Sequence, residues 1–420
     1  MPAPITNALI LPRPRRAKMP DPRFLQIHFL APYTAALLNR DDAGLAKRLP
    51  YGGHLRTRVS SQCLKYHWRW ADDLHALSEI AGWAKSYRSR SIVDSLIVEE
   101  CRDGFSDEVV SALAQWFNFA VYSGKGDEKP KKRGVAAKAD EKEGRPTLLF
   151  GEPEIRWLKS EFVRLAKEAD GEPDTAFSLG ESWVGLPKKG RSEFQKNREA
   201  NLEALRQAGE VPAGLTGALF GRMVTSDPKA NIEAPVHVAH AFTVHAEEAE
   251  SDYFIAADDL ARGEDTGADT IQETELTSGL FYGYVVVDIP GLLSNLGGDA
   301  RLAGEALHNL VYLIAEVSPG AKLGSTAPYS RASFLMLEAG DRQPRSLAEA
   351  FRSPCSAETG QAVAALSEHL AALDAAYATG ESRHVMSLAN AEVPGAERGT
   401  LADLAGFAQG LPARIADRAA

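Results

Sequence analysis

The chain is short of cysteine, of long apolar runs and of recognisable catalytic motifs. Only Cys63, Cys101 and Cys355 occur in 420 residues, far apart and without a C-x-x-C pair. That argues against a zinc ribbon and a disulfide framework and suits a reducing compartment. No stretch approaches the ~18 consecutive apolar residues of a membrane span. No G-x-x-x-x-G-K-[ST] loop, G-x-S-x-G elbow or H-E-x-x-H pair is present, which lowers the expectation of catalysis without excluding it. The start, Met1 to Lys18, places its basic cluster after a short apolar run. A secretory signal has the opposite order, so a cytoplasmic protein is expected. Hydrophobic residues at 44% and charged residues at 25% are close to globular averages, which excludes wholesale disorder.

The net charge of −10 speaks against a nucleic-acid partner, but its distribution speaks for one. Residues 1–70 hold 12 Lys/Arg against three Asp/Glu, a balance of +9, so the remainder carries −19. Between Glu247 and Glu275 there are 11 acids and one base, Arg262. A local basic face governs binding even on an acidic chain; an ordinary solvated face with a basic tail is the equal alternative.

Periodicity places the elements. Phe24–Leu30 (FLQIHFL) reads as a buried strand ended by Pro32, followed by a loop with Asn39-Arg40-Asp41-Asp42 and Gly52-Gly53. Ser60-Ser61 caps a helical pattern running to about Lys85, with Leu64, Trp68, Ala71 and His75 on one face. A helix is expected from Asp107 to Tyr122, and others over 154–169 and 191–208 around a Gly-rich loop. The stretch 124–145, with eight bases and five acids, reads as a flexible insertion. Leu215–Thr225 and Val236–His245 read as strands of a hairpin around Ser226-Asp227-Pro228-Lys229. A buried strand at Leu280–Ile289, a helix at Arg301–Glu316, a strand at Ser333–Glu338 and a mostly helical Ala-rich remainder complete an α+β pattern with a discontinuous sheet.

Two clusters suggest metals and fail on spacing. His237 and His245, eight residues apart on one expected strand, stand roughly 26 Å apart, with His240 on the other face. Asp41-Asp42 could hold magnesium, but no third carboxylate accompanies them, and a loop cap or salt bridge is the more economical reading. No metal or cofactor is therefore expected. The stronger signal is Arg56–Lys65 with Arg69. Gln62, Lys65 and Arg69 share a helical face opposite Leu64 and Trp68. The Ser60-Ser61 end would offer backbone N–H groups to a phosphate at the positive end of the helix dipole, with Lys65 and Arg69 holding its neighbours. Such a site grips a backbone without reading bases, although Ser-Ser-x-x-x-Lys is also a common helix start.

At this motif the sequence resembles the CasC family (Cas seven family, Cse type), the repeated backbone subunits of the type I-E CRISPR surveillance complex, Cascade. The matching residues run in order. They are Asn39-Arg40-Asp41-Asp42, Gly52-Gly53, Arg58–Lys65, Gly221–Ser226, Val238–His245, Thr277–Tyr282 and Pro319-Gly320-Ala321-Lys322. Residues 1–23 and 124–145 have no clear counterpart, and Ser318 lengthens the loop before Pro319. The resemblance implies a right-hand shape: an RRM-like (ferredoxin-like) palm, inserted helical fingers and a β-hairpin thumb. The expected division is a disordered basic extension at 1–23, palm at 24–62, fingers at 63–209, thumb hairpin and palm strands at 210–245, palm again at 246–345, and a mostly helical region at 346–420.

It also implies CRISPR RNA as a partner, bound by several stacked copies together with other Cascade subunits. Target DNA would be engaged through guide pairing, and cleavage left to another protein. The RNA contacts so expected are Arg40, Lys47, Ser60, Ser61, Gln62, Lys65 and Arg69, with Arg222, Met223 and Thr225 at the thumb and Lys322 beyond it. Met223 reads either as core filler or as a wedge between bases. The alternative from another class is a metal-dependent ribonuclease using Asp41 and Asp42. A guide-processing endoribonuclease using His54 or His67 stands third.

Overall fold

The structure, a computed structural model, describes residues 22–122, 128–131, 145–185, 193–224, 228–255 and 271–419. Strand β1 (Phe24–Ala36) is followed by the hairpin β2 (Arg48–Tyr51) and β3 (His54–Val59) and by helix α1 (Ser61–Arg69). A long excursion comes next. It comprises β4 (Ser86–Ser89), α2 (Asp107–Tyr122), β5 (Leu148–Gly151), α3 (Glu152–Glu168), α4 (Pro173–Val184), α5 (Glu193–Gln207) and α6 (Gly214–Phe220). The chain then returns through β6 (Val236–Val238), β7 (Ala241–Thr243), β8 (Ala249–Ile255), β9 (Ile271–Asp288), α7 (Ile289–Asn295), α8 (Ala300–Glu316) and β10 (Phe334–Gly340). It ends with α9 (Thr359–Tyr377), β11 (Ser382–Ser387), β12 (Ala396–Arg398), α10 (Leu401–Gln409) and α11 (Leu411–Ala419).

One sheet runs β12-β11-β10-β1-β9-β7-β3-β2, with β6 and β8 also paired to β9. Its centre, β10-β1-β9-β7, is antiparallel throughout and follows the fourth-first-third-second order of a ferredoxin-like sheet. The run FLQIHFL forms β1 because both faces of the sheet are covered. Leu25, Ile27 and Phe29 enter one core with α1, α6, α8 and α10, while Leu30 enters the other with α9. The fold is α+β.

The second face also buries charge. Glu338 of β10 is wholly buried and accepts from Arg345 (2.6 and 2.9 Å), Arg383 (2.6 Å) and His28 Nε2 (3.0 Å). Burial pushes the Glu338 carboxyl up, but hydrogen bonds from His28 and Arg345 outweigh it and hold the group well below the usual carboxylate range. Burial lowers the His28 pKa; with Nε2–H given to Glu338, the neutral ring presents Nδ1 to the Tyr282 hydroxyl at 2.9 Å.

A separate apolar core forms entirely within the excursion, from residues between Ile92 and Phe194, around Trp116, Phe117, Phe162 and Trp183. Phe117 stacks on Trp183 at 4.2 Å between ring centroids.

Four expectations are corrected. The helix from Ser61 ends at Arg69 rather than near Lys85. Asp73 Oδ1 takes the His75 N–H at 2.8 Å, a side-chain turn that competes with the helix. Leu215–Thr225 is not a strand: Gly214–Phe220 is helical, bracketed by Gly214 and Gly221 at φ of 68° and 76°. The only pairing left at the foot of the expected thumb, among the described residues, is the single bridge Arg222↔Ile232. The supposed loop after residue 169 contains α4, opened by Pro173 in its first turn. Strand β1 does not end at Pro32 but runs through it, pairing Pro32 with Leu280, to Ala36. The C-terminal region is mostly helical, with strands β11 and β12 among its helices. Residues 1–21, most of 124–145 and the thumb turn Ser226-Asp227 lie outside the described residues. Among the described residues, no helix is long and apolar enough to cross a membrane.

Candidate nucleic-acid interface

Helix α1 is short and would be marginal alone in water. Leu64 and Trp68 are 4% and 1% exposed, and burying each contributes roughly 1.5–3 kcal/mol, against about 1 kcal/mol for a cap. Packing therefore holds the helix, and its capping groups set its register. Ser60 is the N-cap, its Oγ accepting the Cys63 N–H at 3.3 Å. Its own N–H donates to Asn39 Oδ1 at 2.9 Å, while the Asn39 carbonyl accepts the Lys47 N–H at 3.0 Å. Two hydrogen bonds at Asn39 thus fasten the loop carrying Arg40 and Lys47 to the start of α1.

The first turn is less open to an anion than the sequence suggests. The Ser61 N–H donates to His240 Nδ1 at 3.1 Å, leaving the Gln62 N–H as the first-turn donor without a partner among the described residues. His240 reaches this point through a β-bulge. Val238 pairs with Val285 but Phe242 pairs with Tyr282, so one extra residue lies on the β6–β7 side between the two registers. The expected continuous strand 236–245 is broken there, and exposed His240 faces the helix start instead of joining Val236 and Phe242. His237 and His245 are separately engaged with the Ala234 and Ala246 carbonyls.

Around this helix start is a cluster of cations without acids. Lys47, Arg58, Lys65, Arg69 and Arg88 have no carboxylate within 4.0 Å among the described residues. Their mutual repulsion registers in their acidities. Burial lowers the Lys65 pKa, and Arg88 and Arg69 lower it further. Burial, then Arg88, pushes Arg69 down to about 10, so it stays charged at neutral pH. Burial, then Arg58, Lys47 and Lys65, lowers His240. Among the described residues the buried Arg69 Nε finds no acceptor. Cations held together at this cost have the chemistry that suits a polyanion. Arg88, on β4, and His240 were not among the expected contacts. The overlong helix hid the first, and a bulge leaves no composition signal for the second.

The other expected residues divide. Ser60 and Ser61 are buried in capping and backbone roles, whereas Gln62 and Arg40 are exposed. Lys322 lies on the loop that packs beside α1, where the Gly320 N–H donates to His67 Nε2 at 3.2 Å; its Nζ donates to Thr274 Oγ1 at 2.6 Å. Arg222 is corrected. It is 5% exposed, ion-paired with Glu154 and donating from Nε to the Ala230 carbonyl at 2.8 Å, so its guanidinium serves the core rather than a ligand. Met223 is 77% exposed, which removes the core-filler reading. Thr225 lies outside the described residues.

Of the residues of the catalytic alternatives, Asp41 and His67 are engaged in structural hydrogen bonds. Asp41 Oδ1 accepts the Ala43 and Leu45 N–H groups at 2.9 and 3.0 Å, a loop cap. His67 donates Nδ1–H to the Cys63 carbonyl at 2.8 Å and accepts at Nε2, so both ring nitrogens are committed. Burial pushes the neighbouring Cys63 thiol up to about 11, far from a thiolate. His54 is exposed at the tip of the β2–β3 hairpin. Among the described residues, the ligand-type group with atoms within 4.8 Å of one another is Asp73, His75 and Glu316, away from Asp41 and Asp42. There His75 contacts Asp73 and Glu316 pairs with Arg331.

The fold is shared with chains of solved RNA-guided surveillance complexes. A chain of a solved "CRISPR RNA-guided surveillance complex, pre-nicking" superposes with a TM-score of 0.71 at 23% identity, covering 92% of this chain and 100% of that one. A chain of a second "CRISPR RNA-guided surveillance complex" gives 0.62, also at 23% identity, covering 92% and 99%. Comparison with curated proteins gave no match. The family model described as "CT1975-like protein" matches residues 25–409, and the chain belongs to that family.

Proposed function

We propose that this chain is the CRISPR RNA-binding backbone subunit of a Cascade surveillance complex, of the type I-E, CasC kind. In this reading several copies stack along one guide, each gripping its backbone, and present it for pairing with invading DNA beside other Cascade subunits in the cytoplasm. The chain itself is not an enzyme and cuts nothing. The observation that supports this best is the acid-free cluster of Lys47, Arg58, Lys65, Arg69 and Arg88 about α1. It suits an anionic backbone held without regard to sequence. The shared fold and family agree with it. In this reading Met223, exposed at the foot of the expected thumb, lies against a displaced base, since apolar side chains can unstack a step.

The test is the particle mass of the full chain without RNA and with single strands of increasing length. Discrete particles that gain whole copies as the strand lengthens are expected. The same particle without RNA would contradict templated stacking.

A further inference from the structure

The exposed side of α1 and its C-cap carry two large aromatics that the cation cluster does not explain. Tyr66 is 57% and Trp70 58% exposed. Trp70 is the C-cap of α1 and its N–H donates to the Tyr66 carbonyl at 3.2 Å, so the two aromatics lie one turn apart, beside the row of Lys65 and Arg69 and away from buried Leu64 and Trp68. Exposed singly, such residues need no account, but an ordered pair set among uncompensated cations does.

We infer that Tyr66 and Trp70 form a stacking platform for two bases of the single-stranded RNA whose phosphates Lys65 and Arg69 hold; this rests on the RNA-binding reading above. Aromatic faces beside a cationic track are the common means of holding single strands without sequence preference, because every base has a π-face. Four residues of helical rise separate the two Cα atoms by about 6 Å along the axis. Stacked neighbours in a duplex strand lie about 3.4 Å apart. The platform therefore suits two bases splayed from one another and rejects a continuous stack. The charge around it points to RNA rather than an apolar protein face, since Lys65, Arg69 and Arg88 would be left unneutralised beneath a protein partner lacking acids. The exposed acids Asp72 and Asp73 follow Trp70 and end the platform, so the strand leaves the helix there.

The test is a cycle between side chains and bases. The full chain and its Tyr66→Leu/Trp70→Leu and Tyr66→Phe/Trp70→Phe variants are titrated with a single-stranded RNA and with the same strand made abasic. Leucine keeps apolar area and removes the π-face. Each lost stack should weaken binding about 5- to 150-fold. The leucine variant should therefore bind normal RNA much more weakly, yet lose little further on abasic RNA. The phenylalanine variant should bind as the parent does, and melting temperatures should match throughout, because both positions are exposed. If parent and leucine variant lose equally on abasic RNA, the platform does not touch bases. If the leucine variant binds RNA normally but forms smaller assemblies, the pair is a protein contact, and the inference fails while the RNA-binding reading stands. If Lys65→Ala/Arg69→Ala also leaves RNA affinity unchanged, the RNA-binding reading itself fails.

Discussion

His240 Nδ1 accepts the Ser61 N–H at 3.1 Å, so the ring supports the first turn of α1 only while that nitrogen carries no proton. Arg58 Nη1 lies 3.4 Å from the same atom. Burial, then Arg58, Lys47 and Lys65, holds the imidazole below its ordinary 6.5.

A group whose folded pKa is lowered contributes stability that is complete above the unfolded value and is lost as pH falls through the folded one. The His240 contribution is therefore expected to be intact above pH 6.5 and to fade below it. A bound phosphate would relieve the repulsion, raise the pKa and draw a proton onto the ring. Proton NMR titration should place the His240 midpoint below 6.5 in the free protein and higher with RNA. A free-protein midpoint at or above 6.5 would remove this account of the helix start.

Arg222 and Glu154 form a buried ion pair, and Arg222→Ala would leave the carboxylate without its principal partner. The expected cost is about 3–5 kcal/mol of stability. Chemical denaturation should show that loss, while the salt dependence of RNA binding by the folded fraction stays unchanged. Full stability with a flatter salt dependence would return Arg222 to the interface.

Met223→Ala concerns the opposite kind of residue. At 77% exposure its loss should shift stability by no more than ~0.5 kcal/mol. Periodic chemical reactivity of bases along a bound guide should blur in the variant while affinity falls only modestly. A large fall in melting temperature with the periodic pattern intact would place Met223 in packing.

Asp41→Ala/Asp42→Ala tests the catalytic alternative. Asp41 is spent on the Ala43 and Leu45 N–H groups. RNA incubated with the pure subunit and magnesium should be degraded at background rates by parent and variant alike. Magnesium-dependent cleavage by the parent that vanishes in the variant would establish a metal-dependent ribonuclease.

Legibility in the sequence followed the range of the interactions concerned. The β1 run Phe24–Leu30 and helix α8 could be read directly, because unbroken burial and a regular apolar stripe are local patterns. The cap at Ser60 was equally plain, since its partner Cys63 is three residues away. Leu215–Phe220 misled because a short apolar run does not separate strand from buried helix, and two glycines at positive φ decided it. The apolar period continues past Arg69 through Ala71 and His75, which is why the sequence pattern overruns the helix. His75 in fact leaves the helix to stack on Tyr312 at 3.6 Å, a contact 237 positions along the chain. Arg222 was read as a ligand contact because its motif precedes the thumb; only the fold brings Glu154 to it. Arg88 and His240 join the site through strand pairing and a bulge, which no local pattern encodes.

The central claim is that α1 grips an RNA backbone through uncompensated charge. Each phosphate neutralised on a single strand contributes about −0.7 to the slope of log affinity against log salt. Measured on the full chain with two guides of unrelated sequence, Lys65→Ala and Arg69→Ala should each flatten that slope by roughly 0.7 per protomer, equally for both guides and without lowering the melting temperature. Slopes equal to the parent's in both variants would show that this face does not hold RNA.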